Sequence, residues 1–327
     1  MKTDADEISK ADPASGRGPH PSAKLSVRWR RGASRFRKFV FFLVALSLVF
    51  LDPLIKLSFV AAQSQLQSYI LLIPFVFAYL IYIRRDRLPP ESSTSIARCI
   101  LPFLVGSAAL TLAFAFPRFS ASASPSDHLA FTILAFVCFI AAGGYLILGK
   151  AWMRSLAFPF FFLIFFVPLP DQIVYWLETG SKLASADASA LFFKISGTPF
   201  LRESTVFMLP GMVIEVAQEC SGIRSSLVLF ITSLVAAHLF LESPWRRIIL
   251  VALVIPLGII RNGLRILTIG LLCVHYGPEM IHSVIHRRGG PFFFVLSLIP
   301  LFLLLWWLRR GDSKPSEETT KAGRPGV

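Results

Sequence analysis

The chain has 327 residues, of which 54% are apolar, 13% aromatic and only 16% charged, with 31 Phe and four Cys. A soluble domain carries about a quarter charged residues, so this composition excludes an ordinary water-soluble enzyme and a disordered chain. Four Cys are too few for a disulfide framework, no pair has zinc-finger spacing, and an all-α polytopic membrane protein remains.

In chain order, residues 1–38 hold ten Lys/Arg and four acids and are rich in Ser, Pro and Gly. They are expected to form a disordered basic cytoplasmic tail ending at the membrane. The net charge of +14 fits an anchor on anionic headgroups better than a nucleic-acid arm. Membrane lipids are therefore expected partners and nucleic acid is not. Apolar runs follow near 39–58, 67–83, 98–117, 129–149, 153–170, 221–241, 247–274 and 291–308. Each is close to the ~20 residues that cross about 30 Å of hydrocarbon, giving about eight transmembrane helices. The first contains Asp52, Pro53 and Lys56, and the second is short. The basic region before the first run is longer than a signal peptide's charged start, so that run reads as a retained anchor.

With eight spans, 23 of the 33 Lys/Arg fall on one side: the N-terminal tail, positions 84–98, 150–154 and 246–247, and the tail from Arg309 onward. That bias predicts cytoplasmic N- and C-termini. The transmembrane domain covers 39–310 and a cytoplasmic C-terminal tail covers 311–327.

An extracytoplasmic insert, 171–220, separates spans five and six, and loops this long are usually functional. From Asp171 to Ser196 the apolar positions suit a helix lying along the membrane surface, ended by Gly197, Thr198 and Pro199. From Val206 to Ala217, two apolar runs flank Pro210-Gly211 and predict a β-hairpin. The hairpin delivers the chain to Cys220 at the outer mouth of span six.

Ionisable groups at membrane depth or at its edge are functional suspects. Cys220 lies in Glu219-Cys220-Ser221-Gly222-Ile223-Arg224-Ser225. A helix N-terminus there, with Arg224 nearby, would favour the thiolate. A small buried thiol is the competing reading for Cys220, and the preferred one for Cys99, Cys138 and Cys273. A Cys220–Cys273 disulfide is open in an oxidising compartment. Arg261-Asn262-Gly263-Leu264-Arg265 lies well into span seven. Arg265 falls about 27 Å along the helix from Arg247, near the outer boundary, with Arg261 one turn deeper on the same face. Two arginines beside Asn and Gly in an apolar helix favour a polar or anionic partner over snorkelling anchors. His282 and His286 are four apart, but no third ligand stands at useful spacing, so acid–base work by one His is the better functional reading. His282, His275 and His238 read as interfacial. A thiol, a base and a fixed positive donor are the minimum parts for covalent acyl transfer.

The sequence resembles the exosortase/archaeosortase family of polytopic membrane cysteine proteases and transpeptidases. The resemblance rests on Glu219 to Ser225, on Arg261 to Arg265, and on His286 followed by Gly290. Pro168 to Leu177, Leu209 to Ala217 and Leu241 to Arg247 support it, and it spans about residues 100–308. The resemblance implies Cys220 as nucleophile, Arg265 as the paired cation and His286 as acid/base. Glu219, Ser221, Gly222, Arg224, Arg261 and Asn262 support them or bind substrate. Arg261 competes with Arg265, and the Asn-x-x-Arg spacing favours Arg265. Arg287-Arg288 departs from members that are more polar or acidic after the His. Implied substrates are secreted proteins ending in a motif such as Pro-Glu-Pro, one transmembrane helix and a basic tail, with a link to exopolysaccharide production. The implied location is the bacterial inner membrane with an extracytoplasmic active site. No metal or cofactor is expected, and the sequence carries no signal of oligomeric state. The alternative function is a transporter or scaffold for an exported lipid or polysaccharide, with Arg261 and Arg265 binding an anionic headgroup.

Overall fold

The computed structural model describes residues 21–312 except 65, 86–87, 90–92, 120–123, 217–221, 278 and 281–283, and only the backbone of 21–33, 116–119, 284–289 and 312. Eleven α-helices and a small sheet are present among the described residues: α1 Pro21–Val49, α2 Leu51–Gln63, α3 Ile73–Arg84, α4 Ile96–Phe119, α5 Pro125–Gly143, α6 Lys150–Ser155, α7 Ala157–Phe162, α8 Asp171–Ile195, β1 Leu201–Glu203, β2 Val206–Leu209, β3 Met212–Glu215, α9 Ile223–Phe240, α10 Pro244–Tyr276 and α11 Val284–Asp312.

Helix α1 starts inside the stretch expected to be a disordered tail. After Pro21, which suits a first helical position, residues 22–38 contain no further proline and are rich in Arg and Lys, both good helix formers. Five helices are long and apolar enough to cross a membrane, and up to seven spans result if each bent pair counts as one. The sequence's first span is one of these pairs, bent by 79° between Val49 and Leu51. Pro53 lacks the N–H that would reach the Val49 carbonyl, so the helix cannot run through. Asp52 and Lys56 then pair across one turn of α2 at 2.7 Å. The second predicted span is the shorter apolar helix Ser68–Arg84. The chain is an all-α polytopic membrane protein, with five to seven candidate spans and the shorter apolar helix Ser68–Arg84 among the described residues.

One unit gathers α1–α7 around a phenylalanine-rich core that includes Phe39, Phe77, Phe136, Phe160 and Phe162. The second unit matters more for function. There α9, α10 and α11 share a core of Leu229, Ala236, Leu241, Leu250, Val254, Leu301, Leu305 and Leu308. The late residues of α9 and α11 meet the early residues of α10, so α10 runs opposite to its two neighbours. Arginines bind the helix ends there: Arg246 Nη1 donates to the Leu308 carbonyl at 3.1 Å, and Arg247 Nε to the Leu241 carbonyl at 2.8 Å.

Helix α10 has 33 residues, about 50 Å, well beyond the ~30 Å hydrocarbon thickness. Its far end supports the insert. Helix α8 turns 90° from the apolar segment Ala157–Phe166, and its second half packs along α10. A Cβ on Gly263 would sit 2.8 Å from Ala188 Cβ, and one on Gly270 would sit 2.6 Å from the Phe193 ring. These glycines let the two helices approach closely. The sheet is an antiparallel meander in the order β1-β2-β3. Leu209 pairs with Met212 across the Pro210-Gly211 turn, where Gly211 has φ +79°, as a type II turn requires. Phe207, Leu209, Ile214 and Val216 bury against Ala186, Phe193 and Ile266. Ion pairs Lys182–Glu215 and Arg202–Asp187 fasten the sheet to α8.

Candidate functional site

The centre of the site is the junction between the start of α9 and the far half of α10. Gly222 caps α9 with φ +71°, a left-handed conformation that favours glycine. A Cβ there would lie 2.8 Å from both Cγ and Oδ1 of Asn262, so Gly222 sits flush on that amide. The Gly222 carbonyl is a hub. It accepts from Arg261 Nη2 at 2.9 Å, from the hydroxyls of Ser225 and Ser226 at 3.2 and 3.1 Å, and from the Ser226 N–H at 3.1 Å. Arg261 Nη2 also donates to Ser226 Oγ at 3.2 Å. A Cβ on Gly258 would meet that same Oγ at 2.5 Å, so the two helices cross closely at this point.

Arg261 is only 6% exposed and Asn262 2%. Arg261 therefore does not snorkel to the surface. Its Nη2 is spent on the α9 cap, and its Nη1 has no hydrogen-bond partner among the described residues. Arg265 is half-buried, one turn further toward the sheet end on the same face of α10. Arg224, in the first turn of α9, is exposed.

Glu219, Cys220 and Ser221 lie outside the described residues, as does His282. His286 is in the first turn of α11, and only its backbone is described. Helix rise fixes the levels along the bundle. From the layer where Arg246 meets Leu308 and Arg247 meets Leu241, Gly222 and Arg265 lie about 28 Å along their helices and His286 about 33 Å. The three path lengths agree to within about one helical turn, and all lead away from the Arg246–Leu308 layer.

The remaining singled-out residues sort as follows. Among the described residues, Cys99 and Cys138 are half-buried, Cys273 is buried, and all three are free thiols; Cys220, the other half of the disulfide left open by the sequence, lies outside the described residues. His275 is exposed and its Nδ1 lies 2.8 Å from the Leu271 carbonyl. His238, half-buried in the last turn of α9, stacks its ring on Phe158 at 3.6 Å and 5°, where a flat ring gains contact on a whole face. Among the described residues, no three His, Cys, Asp or Glu side chains gather to hold a metal ion. The sequence reading missed Ser226 and Gly258. Their signal was a hydroxyl at the start of one apolar span and a gap of matching size in the next.

A family model described as transmembrane exosortase matches residues 61–303, reaching further toward the N-terminus than the motifs alone. No curated protein and no solved structure matches the chain. The match covers most of the chain and includes α9, α10 and the start of α11, and on that ground the chain belongs to the transmembrane exosortase family.

Proposed function

We propose that the protein is a membrane cysteine transpeptidase and protease that cleaves C-terminal sorting signals of secreted proteins. Cys220 is the nucleophile, Arg265 the paired cation and His286 the acid–base group. The observation that carries this reading is the Gly222 junction. Cys220 is two residues before Gly222, so their Cα atoms stand no more than about 7.6 Å apart. Gly222 is tied to Arg261 and seated on Asn262, one helical turn from Arg265. The matching path lengths to Gly222, Arg265 and the first turn of α11 support the assignment of His286.

In the proposed reaction the Cys220 thiolate attacks the scissile carbonyl and forms a C–S bond. Arg265 stabilises the developing oxyanion. His286 protonates the leaving amine as the C–N bond breaks, leaving a thioester on Cys220. An amine acceptor, or water, then attacks the thioester, gives its proton to His286 and returns the thiolate as the C–S bond breaks. The substrate class (motif, one transmembrane helix, basic tail) and the link to exopolysaccharide production rest on the family resemblance. So does the bacterial inner membrane. Arg246 and Arg247 at the end away from the sheet support an orientation with both termini cytoplasmic. We assign 1–38 and 311–327 to cytoplasmic segments and 39–310 to the transmembrane domain.

The test uses a variant keeping Cys220 as its single cysteine, treated from the outer face with a membrane-impermeant maleimide. Processing of a reporter ending in motif, helix and basic tail is expected to stop as Cys220 is alkylated. Unchanged processing after complete alkylation overturns the reading and favours the transporter or scaffold.

A further inference from the structure

Strand β3 is the edge strand that precedes Cys220 in the chain, and its backbone pattern can be read residue by residue. The two-residue turn makes Leu209 and Met212 a hydrogen-bonded pair. The alternation then assigns Ile214 to Phe207 and Val216 to Thr205, and the Val216 N–H does donate to the Thr205 carbonyl at 3.0 Å. The N–H and C=O groups of Met212, Ile214 and Val216 therefore face β2. Those of Val213 and Glu215 face the other way, where no described backbone group pairs with them. Val213 is 62% exposed. Unpaired edge groups of this kind are a template for an added strand.

We propose that the outward edge of β3 receives the extended segment of the substrate that precedes the scissile bond, as a fourth strand. This rests on the cysteine-transpeptidase reading. A peptide chain must be extended for its scissile carbonyl to reach a nucleophile, and β3 leads into Cys220 within five residues. The direction follows from the fold. Strand β3 runs from the Pro210-Gly211 turn toward α9, which enters the apolar bundle. A substrate whose exported part precedes its own apolar helix runs the same way, so the added strand is parallel to β3. Parallel pairing engages alternate substrate residues through the N–H and C=O groups of Val213 and Glu215.

The test is Val213→Pro in the full-length protein. Proline removes an N–H that β2 does not use, so the hairpin ladder stays intact. The KM for the reporter is expected to rise about tenfold through lost backbone hydrogen bonds. The value of kcat and the rate of Cys220 alkylation stay at the parent level. A parent-like KM in the folded variant overturns the proposal. A second arm leaves the enzyme unaltered: single prolines are placed along the reporter's residues before the scissile bond. Loss at every other position supports strand addition, and a flat profile overturns it. Failure of either arm while Cys220→Ala still abolishes processing refutes the docking edge alone. Processing that survives Cys220→Ala refutes the underlying reading.

Discussion

Arg265→Ala is expected to slow reporter processing by about 10²–10³-fold, the range seen when one preorganised donor to an oxyanion is removed. The thermal midpoint of the detergent-solubilised protein should stay near the parent's. Lysine at the same position restores charge without the planar fork and recovers only part of the rate. Arg261 provides the contrast. Its guanidinium is buried and donates to the Gly222 carbonyl and to Ser226. Burying that charge costs several kcal/mol, comparable with what two charge-assisted hydrogen bonds return at about 1.5–3 kcal/mol each. Arg261→Met should therefore leave the thermal midpoint within a few degrees of the parent while lowering processing, because the α9 cap loses its tie to α10. In the proposed reaction Arg261 is thus assigned a positioning role. The pair is separated by alkylation kinetics: loosening the cap in Arg261→Met changes the Cys220 alkylation rate and accessibility, as a merely destabilised bundle would not.

Gly222→Val is expected to be the most damaging single change in the cap. At φ +71° a β-branched residue is strained by about 1–3 kcal/mol. Its Cβ would also stand 2.8 Å from the Asn262 amide, which is buried and has little room to move. Such overpacking adds about 1–3 kcal/mol. The thermal midpoint should fall, and processing per folded molecule should fall with it, since the displaced residue is two positions from Cys220. Adding Asn262→Ala removes the clash but leaves the backbone strain, so the double variant should recover part of the loss. A double variant no better than the single one would show that the contact with Asn262 does not set the cap.

Much of this architecture is legible in the sequence because membrane spans are set by length and apolarity, which need no tertiary information. The Pro210-Gly211 hairpin is legible for a similar reason: the turn residues dictate their own geometry. Strand β1 is not. Its residues Leu201, Arg202 and Glu203 lack apolar alternation, and it pairs because β2 offers an edge and Arg202 finds Asp187. Helix α8 is legible as an element. Its docking along α10 is not, because that contact depends on Gly263 and Gly270 meeting Ala188 and Phe193. At the site, the motif spacing points to Arg261 and Arg265 together. The Asn-x-x-Arg spacing already favours Arg265, and the fold adds what spacing does not carry: Arg261 turns onto the Gly222 carbonyl while Arg265 stays half-buried one turn beyond.

The most direct test of the central claim compares Cys220→Ala and Cys220→Ser with the parent in cells carrying the reporter. The account predicts that both variants reach the membrane in parent amounts, and that Cys220→Ala leaves the reporter uncut. Cys220→Ser should retain at most a trace of cutting, because a serine hydroxyl lacks the thiol's ready ionisation. Parent-level cutting by the alanine variant would contradict it.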